Sequence, residues 1–520
     1  MKTKKISVLI PILMAMCLLA ACGSTDSEPL ENDSKEYDSK YTEESSDDPD
    51  KESVVTSNQN DGMVTIQGKP ISIDQTELEI NLYTNYLTER DVETMKEMEN
   101  LTALHVIQIN DSDLNTISEF TNLTELDLSN SLALTDISAL RGLQNLTSLK
   151  LNNSKKITDF SVISELTNLE VLDLSEGLEI NDFGIVSGLT DLTELHLECK
   201  NLTNIDEISN LTNLTVLTLE NCENISDLSV ISELTNLKEL TISDYEGISD
   251  LSLVSGLTNL TKLELTNCKN LADISALTEL KNLTALGLTR CEYVNNYDII
   301  SGLDNLTILR LSCCGGIADV NILSGLTNLT ELDLSDLYEL RDVSGLSELH
   351  KLTKLNMRDC WQLSNLSGIN GLTNLTELDL GFCDCLSNLN EVSGLMNLTK
   401  LSLFHSDNLS DISGLSGLTN LTELNLSECA NVSDIGALRD LTSLTELNLS
   451  GCDGISDIGV LSNLTNLTRL EIIGCQNIND ISALSGLTNL TSLLCGNCDG
   501  LSDDQIAKIK ESLPDCQVYD

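Results

Sequence analysis

A sequence unit recurs every 23 residues from Leu101 to Leu490, with two intervals of 22, and it constrains the fold more than any other feature. The leucine that begins each unit is called its anchor, and later positions are counted from it. The anchors are Leu101, Leu123, Leu146, Leu169, Leu192, Leu214, Leu237, Leu260, Leu283, Leu306, Leu329, Leu352, Leu375, Leu398, Leu421, Leu444, Leu467 and Leu490. So regular a period predicts a stack of like units.

Each unit contains two kinds of apolar spacing. In the unit that begins at Leu260, apolar and polar residues alternate around Leu263 and Leu265, which predicts a strand with one buried face. Leu271, Ile274, Leu277 and Leu280 then follow at intervals of three, as in a 3₁₀ or short helical run returning over the strand. The apolar surface of one coil is too small to offset the entropy lost on ordering it, so coils must stack.

The spacing L-x-x-L-x-L-x-x-C resembles the leucine-rich repeat. From residue 71 to 520 the chain is similar to internalin-like leucine-rich-repeat surface proteins of Gram-positive bacteria. The resemblance implies an α/β fold, a right-handed solenoid with parallel strands on its concave face and short 3₁₀ or helical turns on its convex face. The chain departs from that family in favouring Cys over Asn at position eight. It also lacks an immunoglobulin-like module and a wall-sorting tail, so host invasion is not implied.

The first 21 residues are typical of an export signal. Lys2, Lys4 and Lys5 precede an apolar run, 6–18, that is too short to span a bilayer. Leu19-Ala20-Ala21-Cys22 resembles the lipobox of bacterial lipoproteins, which implies cleavage before Cys22 and lipidation of that residue. An ordinary secretory signal is the alternative. We therefore expect the protein at the outer face of the bacterial cell membrane, held there only by its lipid anchor.

The remaining boundaries follow from composition and pattern. Residues 22–62 are rich in Ser, Asp and Glu and predict a disordered acidic tether. Residues 63–100 predict an N-terminal cap, with a strand marked by Leu78, Ile80 and Leu82 and a helix from Thr88 to about Glu99. The solenoid of 18 repeats spans 101–501. A C-terminal cap, 502–520, contains a helix over 503–512 and an edge strand over 516–519.

Two ladders run along the repeats. At position eight Cys recurs, which we interpret as a buried, mostly reduced thiol: Cys222, Cys268, Cys291, Cys314, Cys360, Cys383, Cys429, Cys452, Cys475 and Cys498. At position thirteen Asp recurs, as a cap for the return run: Asp136, Asp159, Asp227, Asp273, Asp319, Asp434 and Asp480, with Asn296, Asn365 and Asn388 in its place elsewhere. The recurrent Asn-Leu-Thr matches a glycosylation sequon, but we interpret it as a product of the repeat.

The composition argues against several classes of function. The formal net charge of −53 disfavours nucleic-acid binding. Cys383-x-Cys385 and Cys495-x-x-Cys498 do not assemble a zinc ligand set, and we find neither a calcium-loop spacing nor a cofactor motif. The four histidines lie far from any nucleophile motif, so we predict no catalysis.

Cationic and aromatic residues gather at solvent-facing positions of the middle repeats. Positions two, four, six and seven should face solvent on the concave surface, and in most repeats they are Glu, Asp, Ser, Thr or Asn. The exceptions between the repeats at Leu283 and Leu398, with Trp361 at their edge, predict a partner-binding patch: Arg290, Arg310, Lys354, Arg358, Trp361, Phe382, Lys400, Phe404 and His405. Neutral drift of exposed positions is the alternative. We expect a monomeric, lipid-anchored scaffold that binds a protein through this face, or else an envelope-organising lipoprotein without one specific partner.

Overall fold

The computed structural model describes residues 63–66, 69–81 and 87–520. The predicted signal segment, the acidic tether with Cys22, and Leu82 lie outside the described residues.

Strands dominate the described part of the chain. They are β1 Met63–Ile66, β2 Lys69–Ser72, β3 Glu77–Asn81, β4 Ala103–Ile107, β5 Glu125–Asp127, β6 Ser148–Lys150, β7 Val171–Leu174, β8 Glu194–Glu198, β9 Val216–Glu220, β10 Glu239–Ser243, β11 Lys262–Thr266, β12 Ala285–Thr289, β13 Ile308–Arg310, β14 Glu331–Asp333, β15 Lys354–Asn356, β16 Glu377–Asp379, β17 Lys400–Ser402, β18 Glu423–Asn425, β19 Glu446–Asn448, β20 Arg469–Glu471, β21 Ser492–Leu494 and β22 Gln517–Tyr519. The α-helices are α1 Glu89–Lys96, α2 Asp111–Ile117 and α3 Asp503–Ser512.

Short 3₁₀ turns carry the chain back between strands. They cover Ser138–Gly142, Ser161–Glu165, Phe183–Ile185, Asp206–Asn210, Ser229–Glu233, Ser252–Val254, Ser275–Glu279, Tyr297–Gly302, Asn321–Leu323, Ser344–Leu346, Asn390–Gly394, Ser413–Leu415, Gly436–Asp440, Gly459–Asn463 and Ser482–Gly486. None of the helices described is long and apolar enough to cross a lipid bilayer.

The strands β3 to β22 form one parallel sheet in chain order. Pairing is in register from repeat to repeat, as in Leu240 with Leu263 and Leu263 with Leu286. Among the described residues β3 pairs only with β4 and β22 only with β21, so the sheet is open. This arrangement, with 3₁₀ turns behind the sheet, confirms the predicted leucine-rich-repeat solenoid.

The core is a continuous column of repeat leucines behind the sheet. Every anchor leucine is at most 4% exposed, and the apolar residues at positions three and five alternate with partly exposed residues along most strands. The 3₁₀ turns bury at least one further apolar residue each, as Leu277 does behind β11. Each repeat therefore closes its interior only by contacting the repeats on both sides.

The N-terminal cap is part helix and part sheet. Thr88 caps α1 as predicted: its Oγ1 accepts from the Asp91 amide at 3.1 Å. Val92, Met95 and Met98 are buried, but the helix ends at Lys96 rather than near Glu99. The antiparallel hairpin β1–β2 was not predicted, because two four-residue strands are too short to show a period.

The C-terminal cap follows the prediction closely. Helix α3 spans Asp503–Ser512 and buries Ile506 and Ile509 against the last repeat. Strand β22 then adds to β21, with Leu493 opposite Val518. The helix thus covers an apolar end that the stack would otherwise expose to solvent.

The Asp ladder caps the return runs, as predicted. The Ser482 amide donates to Asp480 Oδ1 at 2.8 Å, and the Ser367 amide makes the same 2.8 Å bond to Asn365 in another repeat. These hydrogen bonds lower the pKa of Asp480, and likewise that of Asp159. Asn365 caps its return run as Asp480 does, so this bond requires an acceptor rather than a charge, whereas Asn296 accepts instead from the Ile274 amide of the preceding repeat.

The Asn-Leu-Thr sequence is explained by contacts between repeats. The Asn236 side-chain amide donates to the Thr212 carbonyl at 2.9 Å, and Asn374 donates to the His350 carbonyl at 2.7 Å. The threonine that follows the anchor donates in the same way, from Thr376 Oγ1 to the Thr353 carbonyl at 3.0 Å. Both polar side chains of the motif therefore join neighbouring coils.

The ladder cysteines are buried, as predicted. Cys429 Sγ donates to the Leu403 carbonyl at 3.1 Å, and Cys452 Sγ donates to the Leu426 carbonyl at 3.0 Å. Each bond reaches the position-five carbonyl of the preceding repeat. The thiol therefore connects adjacent coils at the point where the strand turns into the return run.

Candidate functional site

The end of each strand presents two outward positions, seven and nine. Position seven has a left-handed backbone in most repeats, for instance φ 58° at Asp359 and 57° at Phe382. Its amide donates to the position-six carbonyl of the next repeat, at 2.8 Å from Asp359 to Gly381 and 2.7 Å from Phe382 to Phe404. These bonds hold the turns of successive repeats in line, so positions seven and nine form two rows along one edge of the sheet.

Four successive repeats place aromatic rings on this edge. We call Tyr338, Trp361, Phe382, Phe404 and His405 the aromatic patch. The Tyr338 and Trp361 ring centroids are 4.7 Å apart, and the Phe382 ring lies 4.9 Å from both Phe404 and His405. Trp361 is 50% exposed and Tyr338 is 38% exposed. In a chain with 3% aromatic residues, this is a local concentration of ring surface.

Arg358 links the two halves of the aromatic patch. Its guanidinium carbon lies 4.8 Å from the centroid of the Phe382 ring, and its Nε donates to Asp359 at 3.1 Å. Trp361 Nε1 reaches the other oxygen of the same carboxylate at 3.4 Å. Five of the nine predicted binding residues, listed here, therefore form one contiguous surface: Arg358, Trp361, Phe382, Phe404 and His405.

Phe382 adopts a backbone conformation that a bulky side chain seldom adopts. Some other repeats place Asn or Gly at position seven, as in Asn267 and Gly451, where a left-handed conformation costs little, whereas others place Arg, Cys or Glu there with the same conformation. For phenylalanine it costs about 1–2 kcal/mol.

Three other predicted residues lie in a groove on the face of the sheet. It has a volume of about 540 Å³ and crosses strands β13 to β20. Arg310, Lys354 and Lys400 line it. Arg310 pairs with Glu264 at 2.8 Å, Lys354 with Glu377 at 3.4 Å, and Lys400 with Glu423 at 2.7 Å. The cations are thus largely neutralised by carboxylates of neighbouring strands.

Arg290 lies apart from both groups. It occupies position seven with φ 55°, and its amide donates to the Ser312 carbonyl at 2.9 Å. Its side chain is exposed and interacts with the Cys313 thiol. The predicted residues therefore form an aromatic patch, a row of paired cations in the groove, and one separate arginine.

Position six is not uniformly open to solvent, contrary to the prediction. Ser427 is buried because its hydroxyl turns back to Asn425 Oδ1 at 2.6 Å. Ser335 is buried in the same way, with its hydroxyl 2.9 Å from that of Ser312. A short hydroxyl side chain at this position packs along the sheet, whereas the longer Arg358 and Phe404 extend beyond it.

The acidic members of this edge and Tyr338 were not predicted from the sequence. Asp336, Asp359, Asp384 and Asp407 alternate with the aromatic rings along positions seven and nine. Burial raises the pKa of Asp336, and the neighbouring Asp359 carboxylate adds to the shift. The sequence does contain a pattern that marks these residues: an aromatic residue and an aspartate lie two residues apart in each of four repeats.

The two cysteine pairs differ in their exposure to solvent. Cys383 is buried in the ladder and Cys385 is exposed, whereas Cys495 and Cys498 are both buried. Within the described ranges no group of three or more His, Cys, Asp or Glu side chains is arranged to hold a metal ion.

Family models match separate stretches of the chain. The model "Leucine Rich repeats (2 copies)" matches residues 121–165, 397–440 and 442–486, and "R13L1/DRL21 LRRs" matches 223–291. These matches coincide with the repeats seen in the structure. The chain contains leucine-rich repeats over these stretches. No curated protein matches it.

Solved leucine-rich-repeat structures resemble the chain over most of its length. TLR13 in complex with ssRNA13 is 21% identical with a TM-score of 0.53, covers 81% of this chain and 77% of its own, and shares the fold. An internalin from Listeria monocytogenes is 27% identical with a TM-score of 0.48, covering 64% and 88%. The functional domain of InlJ from the same organism, described as including a cysteine ladder, is 23% identical with a TM-score of 0.46, covering 74% of each chain. Internalins are thus among the similar structures, as the sequence resemblance predicts.

Proposed function

We propose that this leucine-rich-repeat protein is a lipid-anchored extracellular scaffold that binds a protein partner, in adhesion or surface recognition. Repeat proteins of this family are typically protein-interaction scaffolds rather than enzymes. The observation that carries the proposal is the aromatic patch with Arg358. Exposed Trp, Tyr and Arg side chains that contact one another are the usual material of binding hot spots.

The groove beside the aromatic patch supports an extended contact. It continues along the sheet face for eight strands, and its cations and carboxylates alternate, as Lys354, Glu377, Lys400 and Glu423 do. Such a surface suits a polypeptide with charges of both signs. The bound RNA of TLR13 is a property of that protein, and a net charge of −53 disfavours an RNA ligand here.

The test is crosslinking capture on intact cells that display the full-length protein. The variant combines Arg310→Glu, Arg358→Glu and Trp361→Ala, which removes the ring face and reverses two charges. We expect at least one captured protein to be lost, because truncating a hot spot typically costs about 2 kcal/mol or more.

The matched control combines Leu132→Ala, Lys269→Glu and Arg439→Glu, all exposed residues outside the aromatic patch and groove. Leu132 occupies position nine, as Trp361 does. The control should capture the same proteins as the wild type. Identical capture profiles for all three proteins would refute the proposal and favour an envelope-organising lipoprotein without one specific partner.

The membrane attachment rests on Cys22 and the apolar segment before it. Acyl chains contribute about 0.8 kcal/mol per buried methylene, so several chains on one residue hold a protein at a membrane. Cys22→Ser should therefore abolish labelling by a fatty-acid analogue and release the protein into the medium, measured by fractionation. Cys17→Ser, in the segment expected to be removed, is the control. Retention of the Cys22→Ser protein in the membrane would exclude lipid anchoring at this residue.

A further inference from the structure

The four repeats of the aromatic patch each pair an aromatic ring with an aspartate at positions seven and nine. In the first two, the ring donates to the carboxylate: Tyr338 Oη lies 3.4 Å from Asp336 Oδ1, and Trp361 Nε1 lies 3.4 Å from Asp359 Oδ1. In the fourth, the His405 ring nitrogen faces Asp407 at 3.8 Å. Each of these aromatic residues brings a polar hydrogen or a ring nitrogen to its carboxylate.

The third repeat breaks this rule. Its aromatic residue is Phe382, whose side chain has no donor, and its aspartate is Asp384. The Asp384 Oδ1 atom is buried and has no hydrogen-bond partner among the described residues, although the carboxylate accepts from the Asp407 backbone. A buried carboxylate oxygen without a donor is destabilising. Since the χ2 angle of aspartate is broad, a small rotation can turn this oxygen toward an incoming donor.

The surroundings of Asp384 favour a cationic donor. Burial raises the pKa of Asp384, and the neighbouring Asp407 and Asp359 carboxylates add to that effect. The nearby His405 lowers the pKa of Asp384. The excess of negative charge, here and over the whole chain at −53, attracts a positive group more strongly than a neutral one.

The chain itself shows how this surface binds a guanidinium group. Arg358 lies over the Phe382 ring at 4.8 Å and donates to Asp359 at 3.1 Å, so one planar cation contacts a ring face and a carboxylate together. Arg combines a bidentate donor with a face that stacks on aromatic rings, which a lysine ammonium does not. One repeat further, Asp384 and the Phe404 and His405 rings offer the same two kinds of contact.

We infer that the partner presents a basic segment to the aromatic patch, with one of its arginine side chains donating to Asp384 and lying against Phe404. The inference rests on the proposed function and adds the chemistry of the partner. It assigns Asp384 as the residue that selects a guanidinium group, and Phe382 as the reason that one oxygen of this carboxylate receives no hydrogen bond from the ring of its own repeat.

Trp361, the single tryptophan of the chain, reports on this site. The probe is the peptide acetyl-Gly-Arg-Ser-Arg-Gly-amide, titrated into the full mature protein while Trp361 fluorescence is recorded. The comparison peptide has citrulline for arginine, with nearly the same shape and no charge. We expect a saturable change with the arginine peptide and binding about ten-fold weaker, or more, with the citrulline peptide.

Asp384→Asn should weaken binding of the arginine peptide about ten-fold, because the amide cannot form the charged pair. Asp499→Asn removes the same charge at position nine of the last repeat and should leave binding unchanged. Phe404→Leu keeps apolar volume without the ring face and should also weaken binding, which covers the case of an Asp384 variant that fails to fold.

Equal binding of the two peptides, or equal affinity of the Asp384 and Asp499 variants, would refute the inference. So would a fluorescence response that does not saturate. The proposed function would still stand if the triple variant of the aromatic patch lost its captured protein. If neither the peptide-binding difference nor the loss of a captured protein is observed, both proposals are refuted.

Discussion

At the scale of single residues, serine can replace cysteine as the buried donor at position eight. Ser131, Ser154 and Ser406 occupy it in other repeats and are fully buried. Ser406 Oγ donates to the Leu380 carbonyl at 3.1 Å, as Cys429 Sγ does to the Leu403 carbonyl at 3.1 Å. Hydroxyl and thiol reach the same carbonyl of the preceding repeat. The sequence showed a buried ladder, but the acceptor became evident only from the stacked coils.

Titration of the ladder thiols predicts a loss of stability in alkali. Burial raises the pKa of Cys429 to about 11 and that of Cys475 to about 12, from an ordinary value of 9.0. Between pH 9.0 and the raised pKa of each thiol, the unfolded chain loses a proton that the folded chain keeps. The free energy of unfolding therefore falls as pH rises through this range. The slope is about 1.4 kcal/mol per pH unit for each such thiol. Urea unfolding at pH 8 to 10.5 measures it.

The control for this titration is the triple variant Cys429→Ser, Cys452→Ser and Cys475→Ser. Serine already occurs at position eight, so the variant should fold, with a loss on the order of 1 kcal/mol per site at pH 7. Because a hydroxyl does not titrate in this range, its stability should fall less steeply with pH. Equal slopes for variant and wild type would contradict the assigned role of thiol ionisation.

At the scale of secondary-structure elements, the period determined most of what could be predicted. An alternation of two around Leu263 and a spacing of three after Leu271 are sufficient to place β11 and the turn Ser275–Glu279. The hairpin β1–β2 and the α-helical return run α2 were not predicted, because they lie where the repeat is least regular. In such segments local capping determines the structure. At the start of α2, for example, the Asn110 side chain accepts a hydrogen bond from the Ser112 amide at 2.8 Å.

The candidate site was predicted only in part, for a related reason. Exposed positions can be counted from the anchor, so Arg358, Phe382 and Phe404 were found individually. Contacts between positions seven and nine depend on the left-handed turn and on side-chain rotamers, which no period contains. Lys354 and Lys400 looked like free cations in the sequence, whereas in the structure each reaches a glutamate on the next strand.

At the scale of the whole molecule, contacts run almost entirely between neighbouring repeats. Residue 240 pairs with 217 and 263, and the core leucines contact their counterparts one repeat away. Stability in such a stack is a sum of local terms and nearest-neighbour terms, without one central core. A destabilising substitution should therefore increase local unfolding within a few repeats of its position and not beyond.

Leu378→Ala tests this expectation. Leu378 is 2% exposed in β16, and its truncation should cost about 2–5 kcal/mol locally. In hydrogen-exchange mass spectrometry of the full chain, we expect faster exchange in the repeats at Leu352, Leu375 and Leu398. The repeats at Leu123 and Leu146 should exchange as in the wild type. Leu149→Ala, also buried, is the matched control and should show the reverse pattern. Uniform acceleration along the chain would mean that the stack unfolds as one unit.

The in-register pairing of every repeat with the next makes the number of repeats an adjustable quantity. Unequal recombination that inserts or deletes 23 residues would leave each remaining interface with the same hydrogen bonds from its Asn, Thr and position-eight side chains. Such an event would move the aromatic patch along the stack by one strand spacing, about 4.8 Å, without altering its composition. A change in repeat number could therefore change the distance between the binding surface and the end of the stack without changing the residues of that surface.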